Sequence, residues 1–157
     1  MEIYGKDEHV EIIEKVIRVV KEGCRYIKHS IPYRYYTKLM VQSLIARVVK
    51  CINAFPIKNG ISSTMIPYMI VESKCKPDFN HKQITFGSYD MVYTGTTNDM
   101  KIRIIPSISL NESNERGGSY FMSLYIVKLL PSYQWTYLPI DDNVIAQVRY
   151  LAEEDNA

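Results

Sequence analysis

The spacing of apolar residues changes along the chain, and this change limits the folds available to it. Val10, Ile13, Val16, Ile17 and Val20 recur at helical spacing. From Ile102 to Leu110 apolar and polar residues instead alternate, as in a strand with one buried face. Helices followed by short strands predict an α+β fold, with N-terminal helices packed on an antiparallel sheet of about four to five strands and a short C-terminal helix. The 157 residues suit a single domain, 1–157.

Two helices are predicted in the first third. The first spans Asp7 to Glu22 and is closed by Gly23, although its many β-branched residues also favour a strand, so both alternatives stay open. An extended stretch from Cys24 to Pro32 follows. The second helix runs from Tyr35 to Asn53 and is apolar around more than half of its circumference.

The remaining elements are predicted from alternation and turn residues. The predicted strands are Met65 to Val71, a strand from Ile84 to Tyr93 that bends near Gly87, Ile102 to Leu110, Tyr120 to Leu130 as a central strand, and Trp135 to Leu138. Thr94 to Asp99 is predicted to connect a hairpin, and Pro106 to place its strand at an edge or a bulge. Asp141 or Asp142 caps the last helix, and residues 1–6 and 153–157 are expected to fray.

Charge is distributed very unevenly along the chain. No Asp or Glu occurs between Glu22 and Glu72, whereas that segment holds seven cations: Arg25, Lys28, Arg34, Lys38, Arg47, Lys50 and Lys58. Tyr26, Tyr33, Tyr35 and Tyr36 are interleaved with them and are predicted as contact aromatics. A surface of one sign attracts phosphates, acidic lipid headgroups or acidic proteins. We therefore predict that the seven cations form a face that binds anions, membrane or ribonucleoprotein; the alternative is that they only solubilise a helix.

Signals for catalysis are weak throughout. The three histidines, His9, His29 and His81, are isolated, and the three cysteines, Cys24, Cys51 and Cys75, form no C-x-x-C pair. Gly117-Gly118 lacks the frame of a phosphate-binding loop. We predict no enzyme, no catalytic residue, no metal site, no cofactor and no small-molecule substrate.

The N-terminus is polar, and no run of 18 apolar residues occurs. The chain is therefore expected to be cytoplasmic, not secreted, and without a transmembrane segment. Its free thiols fit a reducing compartment.

The order of these features resembles the matrix proteins of rhabdoviruses. The residues that carry the resemblance are Val10 to Val20, Ile31-Pro-Tyr-Arg-Tyr-Tyr36 with the helix to Asn53, Ile66-Pro-Tyr-Met-Ile-Val71, Phe86-Gly-Ser-Tyr89 and Lys101 to Ile105. On this alignment the first apolar segment would be a strand. The family's long basic N-terminal arm and its Pro-Pro-x-Tyr motif have no counterpart here, and the shorter plant-infecting branch fits that difference best.

The resemblance implies a non-enzymatic viral structural protein that acts in virion assembly. Such a protein self-associates and bridges a ribonucleoprotein and an anionic membrane, to which it binds peripherally. The expected partners are further copies of the chain, a nucleocapsid or nucleic acid, and the membrane surface, in the host cytoplasm and the virion. The alternatives are a small nucleic-acid-binding regulatory domain and an interaction module that binds an acidic protein.

Overall fold

The computed structural model describes residues 11–58, 60–72, 84–95, 100–113 and 117–157. Three helices come first, then five strands, then a fourth helix. The elements are α1 (Glu11–Ser30), α2 (Lys38–Asn53), α3 (Pro67–Glu72), β1 (Tyr89–Tyr93), β2 (Ile104–Glu112), β3 (Ser119–Ser123), β4 (Leu129–Ser132), β5 (Trp135–Leu138) and α4 (Asp142–Asn156). The predicted α+β fold is confirmed. The predictions for Asp7, residues 1–6, His9, Cys75 and His81 lie outside the described residues.

The five strands form one antiparallel sheet in the order β4-β3-β2-β1-β5. Strands β1 to β4 pair with their neighbours in sequence, whereas β5 returns to the far side of β1, with Tyr89 opposite Leu138. This places β2 in the middle of the sheet. The predicted strand from Trp135 to Leu138 is present, but it pairs with β1 and not with β4, the strand that precedes it.

The main core lies between the sheet and the helices. Met40, Leu44 and Val48 of α2, with apolar residues of α4, pack on a cluster that includes Ile108 and Met122 of the sheet. A second cluster comprises Ile84, Val92 and Phe121, with Leu130 packed against it. The Trp135 ring lies 5.4 Å from that of Phe121. Apolar and polar residues alternate along β2, but Ser107 to Leu110 are all buried, so both faces of this strand are covered.

The first helix differs from its prediction. It runs on through Gly23 to Ser30, so the extended stretch predicted from Cys24 to Pro32 is wrong, and Gly23 does not end the helix. A Cβ atom at Gly23 would lie 2.7 Å from Cγ1 of Val48, so glycine permits the close approach of α1 and α2. Helix α2 begins after Thr37, whose hydroxyl accepts a hydrogen bond from the Met40 amide.

Three strand predictions are wrong. Residues 67–72 form α3, because Pro67 suits the first turn of a helix. The segment from Tyr120 to Leu130 is a hairpin of β3 and β4, not one central strand. Pro106 lies in the central strand β2, just beyond the last residue in register with β3, so its missing N–H falls at the end of that ladder.

Several local predictions are confirmed. β1 and β2 form the expected hairpin, although residues 96–99 of its connection lie outside the described part. Gly87, with φ of 81°, makes the expected bend, but the strand predicted from Ile84 begins only at Tyr89, so that residues 84–88 lie outside it. Asp141 caps α4, since its side chain accepts a hydrogen bond from the Val144 amide at 2.9 Å. Helix α4 continues to Asn156, where the sequence favours a frayed end.

Candidate interaction surfaces

Two cations of the acid-free segment bind the end of β2. The Arg47 guanidinium donates hydrogen bonds to the backbone carbonyls of Ile84 at 2.8 Å and Leu110 at 3.4 Å, and lies 4.0 Å from the Glu112 carboxylate. Lys50 donates to the Glu112 carbonyl at 3.1 Å. These side chains fasten α2 to the sheet, so their positive charge is used within the fold.

Two more cations contact acidic residues. The amide of Lys38 donates to the Asp155 carboxylate at 2.6 Å, and its ammonium group donates to the Asp155 carbonyl. Arg25 pairs with Glu22 one turn earlier on α1 at 2.5 Å, with both side chains mostly exposed. Only the first contact links two elements, because it joins the start of α2 to the end of α4.

Lys28, Arg34 and Lys58 have no carboxylate partner among the described residues. The Lys28 ammonium lies 5.1 Å from the centre of the Tyr36 ring, a cation–π geometry. Arg34 and Lys58 are exposed in the segments that precede and follow α2. The structure therefore spreads the seven predicted cations over several elements and leaves three of them open to an external anion.

The four tyrosines divide into two pairs. Tyr33 is 3% exposed and donates to the Gly87 carbonyl at 3.0 Å, and Tyr36 donates to the Tyr33 carbonyl at 2.8 Å. Burial, with the nearby Asp90 charge, raises the pKa of Tyr33 far above its usual value. Tyr26 and Tyr35 are exposed. Only this second pair can stack on an external ligand.

The first half of α1 exposes an apolar surface. No residue of α1 is fully buried, and its second half contacts the core through Cys24, Ile27 and the half-buried Val20. Five β-branched residues of the first half are 46–77% exposed: Ile12, Ile13, Val16, Ile17 and Val19. Five exposed β-branched side chains do not stabilise the helix, because they lose rotamer freedom in it, and they do not stabilise the core, because they remain exposed to water. We call these five residues the α1 apolar surface.

Further exposed apolar side chains lie at the same end of the helix pair. Lys28 contacts Tyr36 before α2 begins, and Gly23 meets Val48 late in α2, so α1 and α2 run antiparallel. Residues 11–19 therefore lie near the C-terminal end of α2 and extend roughly 10 Å beyond it, at 1.5 Å per residue. The chain that leaves α2 exposes Phe55, Ile57, Ile61 and Met65, with Lys58 among them.

A shallow groove lies between the α1–α2 connection and α4. It encloses about 150 Å³ and is lined by Pro32, Tyr33, Arg34, Tyr35, Ile145, Val148 and Arg149. The Arg149 guanidinium lies 5.0 Å from the centre of the Tyr35 ring, and its Nε donates to Glu153 at 2.8 Å. The hydrogen bond from Arg149 to Glu153, and that carboxylate's charge, raise the pKa of Arg149, so the group is a permanent cation.

The buried polar groups of the sheet form a closed network. Ser88 donates to the Asp90 carboxylate at 2.7 Å and lies 2.7 Å from the Ser109 hydroxyl, which in turn bonds the Thr85 carbonyl. Burial raises the pKa of Asp90, and the Ser88 hydrogen bond offsets part of that rise. No histidine joins these groups in the described part of the chain. The serine hydroxyls are thus hydrogen-bonded within the sheet.

The described residues contain no group of three or more His, Cys, Asp or Glu side chains that could hold a metal ion. Cys24 is half-buried and Cys51 exposed, both as free thiols, and burial raises the pKa of Cys24. A raised pKa makes a thiol less nucleophilic at neutral pH.

Sequence reasoning missed two features of these surfaces. It found the apolar stripe of α1 but treated it as core, because periodicity shows which residues share a face and not what covers that face. It also missed Arg149, which lies more than a hundred positions after Arg34 and enters the groove only through tertiary packing. The acidic residues Glu153 to Asp155 near it gave no hint of a cationic groove.

No protein family model matches the chain, and neither does any curated protein or solved structure. None of the helices within residues 11–58, 60–72 and 142–156 combines the length and hydropathy needed to cross a bilayer. The surfaces described above are therefore the basis on which a function can be proposed.

Proposed function

We propose that the protein is a non-enzymatic structural protein that self-associates through the α1 apolar surface and docks on an anionic partner, in the manner of a viral matrix protein. The observation that carries this proposal is the exposure of Ile12, Ile13, Val16, Ile17 and Val19 on a helix whose second half is packed. A second copy of the chain offers the same surface, and like surfaces related by a two-fold axis are self-complementary.

The size of the surface predicts reversible association. Full burial of a Val or Ile side chain contributes about 1.5–3 kcal/mol, so five half-exposed side chains contribute roughly 4–7 kcal/mol per copy. Losing the freedom of one partner costs about 4–15 kcal/mol. Two copies therefore gain a modest net free energy from this surface, and assembly should depend steeply on protein concentration.

Docking on an anionic surface rests on the three cations without a carboxylate partner among the described residues. Lys28, Arg34 and Lys58 remain available, whereas Arg47 and Lys50 are engaged by β2. Each well-placed cation contributes about 1 kcal/mol at an anionic lipid surface. Three such groups support weak, salt-sensitive binding that becomes effective when self-association multiplies the contacts.

Light scattering after size exclusion, over a wide range of protein concentration, tests the self-association. We expect the average mass to rise with concentration for the wild type and to stay monomeric for the double variant Ile13→Glu with Val16→Glu. Ile102→Glu is the matched control, because Ile102 is 70% exposed on the β1–β2 connection, away from α1. A wild type that is monomeric throughout, or a double variant that assembles like the wild type, contradicts the proposal.

Sedimentation with vesicles tests the docking. Binding to vesicles that contain phosphatidylserine should exceed binding to neutral vesicles, fall with salt, and weaken in the triple variant Lys28→Gln, Arg34→Gln, Lys58→Gln. Equal binding to both vesicle types would refute docking by these cations while leaving self-association untouched. Tight binding to single-stranded RNA, with quenching of tyrosine fluorescence, would instead favour the nucleic-acid-binding alternative, for which Tyr26 and Tyr35 are the exposed aromatics.

A further inference from the structure

The groove between residues 32–35 and α4 is lined by two arginines from distant parts of the chain. Arg34 comes from the α1–α2 connection and Arg149 from α4, and both line the same concave surface. The rest of the lining is mostly apolar or aromatic, from Pro32, Ile145 and Val148 together with two tyrosines. The lining therefore combines two arginines with a mostly apolar and aromatic surface.

Arg149 is held in place with donors to spare. Its Nε donates to Glu153 and its Cζ lies 5.0 Å from the centre of the Tyr35 ring, so the side chain has two neighbours that orient it. A guanidinium has five N–H donors, and the contacts within the described residues use only the one on Nε. The terminal amino groups of Arg149 remain free to receive a second anion.

Arg34 contributes nothing to the fold through its charge. It is exposed, and within the described residues no carboxylate or carbonyl accepts a hydrogen bond from it. Arg34 is an exposed residue between two tyrosines, and its side chain keeps its conformational freedom because no contact among the described residues orders it. A ligand that bridges Arg34 and Arg149 would account for both side chains.

We propose that this groove binds a phosphate monoester. Two guanidinium groups supply N–H donors that match phosphate oxygens, and no described carboxylate neutralises the charge of Arg34. The apolar lining residues accommodate the carbon atoms next to the phosphate. The groove therefore prefers an organic phosphate with an aromatic or aliphatic group to inorganic phosphate.

The groove is independent of the proposed self-association. Eighteen residues of α1 separate Ile12 from Ser30, a distance of about 27 Å along the helix, and Arg34 lies beyond that end. Loss of ligand binding and loss of assembly can therefore be measured separately. A protein that assembles without binding phosphate, or binds phosphate without assembling, identifies which proposal fails.

Titration with phenyl phosphate, followed by amide chemical shifts in NMR, tests the site. We expect saturable shifts at the amides of residues 33–35 and 148–150, and weaker binding of inorganic phosphate. Arg34→Gln and Arg149→Gln should each reduce affinity roughly tenfold or more, since each removes charge-assisted hydrogen bonds. Lys128→Gln is the control, because it removes an exposed cation of the β3–β4 connection that does not line the groove, and its affinity should equal that of the wild type.

The outcomes are decisive because both arginines are on the surface and their variants should fold. Absence of shifts at about 10 mM phenyl phosphate, ten times a weak Kd of 1 mM, overturns the proposal. So does a double Arg34→Gln, Arg149→Gln variant that binds like the wild type. Vesicles containing phosphatidic acid distinguish the source of the phosphate. If the double variant selectively loses binding to these vesicles, the ligand is a lipid headgroup. If the double variant still binds the vesicles but no longer binds phenyl phosphate, the ligand is a soluble phosphoester.

Discussion

Replacing Arg47 distinguishes a cation that stabilises the fold from one that docks a ligand. Its guanidinium makes one short charged hydrogen bond, to the Ile84 carbonyl, and one long one, to the Leu110 carbonyl. A hydrogen bond to a charged group contributes about 1.5–3 kcal/mol, and a partly exposed ion pair such as that with Glu112 adds less than about 1 kcal/mol. Because Arg47 is half-buried, we expect Arg47→Ala to lower the free energy of unfolding by about 2–3 kcal/mol.

Urea denaturation followed by circular dichroism measures this loss. Lys58→Ala is the matched control, since Lys58 is an exposed cation of the same acid-free segment and should change the free energy of unfolding by no more than about 0.5 kcal/mol. The reasoning is refuted if Arg47→Ala is as stable as the control and yet loses binding to anionic vesicles. That result would indicate that Arg47 binds the anionic surface and that its contacts with β2 do not stabilise the fold.

Two further predictions concern the helix crossing and the buried carboxyl group. Gly23→Ala gains about 1 kcal/mol of helix propensity, but the added Cβ would lie 2.7 Å from Val48, and such overpacking costs about 1–3 kcal/mol. Thermal unfolding of this variant should therefore show no gain in Tm. Adding Val48→Ala removes the close contact and should reveal a favourable coupling between the two sites. A Tm raised by Gly23→Ala alone would contradict the close approach. Burial raises the pKa of Asp90 above its usual value, so the folded state binds the proton more tightly than the unfolded chain does. This contribution to stability is present below the usual pKa of an aspartate, about 3.9, and is lost as the pH rises through the folded pKa. Asp90→Asn keeps an acceptor for Ser88 and should raise the Tm at pH 7 more than at pH 3.5; an equal change at both pH values would contradict the raised pKa.

The features that sequence predicted well depend on local chemistry. Asp141 caps α4 because its carboxylate accepts a hydrogen bond from an amide of the first helical turn, and this contact does not depend on where the helix packs. Gly87 bends the chain because its φ of 81° suits glycine in any context. The α+β class follows from the change in apolar spacing, because the spacing within each segment indicates helix or strand without reference to the rest of the chain.

The features that sequence could not predict depend on what a segment meets after folding. The hairpin of β3 and β4 turns through residues 124–128 without a Gly, Pro, Asn or Asp, so no turn residue marks it. Residues 67–72 are rich in strand-forming side chains, but Pro67 fits a first helical turn. The pairing of β5 with β1 and the contact of Arg47 with β2 join residues more than 35 positions apart.

The charge of the acid-free segment shows why composition alone overstates a binding surface. The segment lacks acids in sequence, yet folding supplies them from outside: Glu112 reaches Arg47, and Asp155 reaches Lys38. The surfaces that remain are smaller and more specific, namely Arg34 in a groove that Arg149 also lines and an apolar stripe in the N-terminal half of α1. A core-forming stripe would be covered along its whole length, whereas here Val20 and Cys24 are packed and Val16 and Ile12 are not. Leaving such side chains in water costs stability without helping the fold, which supports the proposal that a second copy of the chain covers this half of α1.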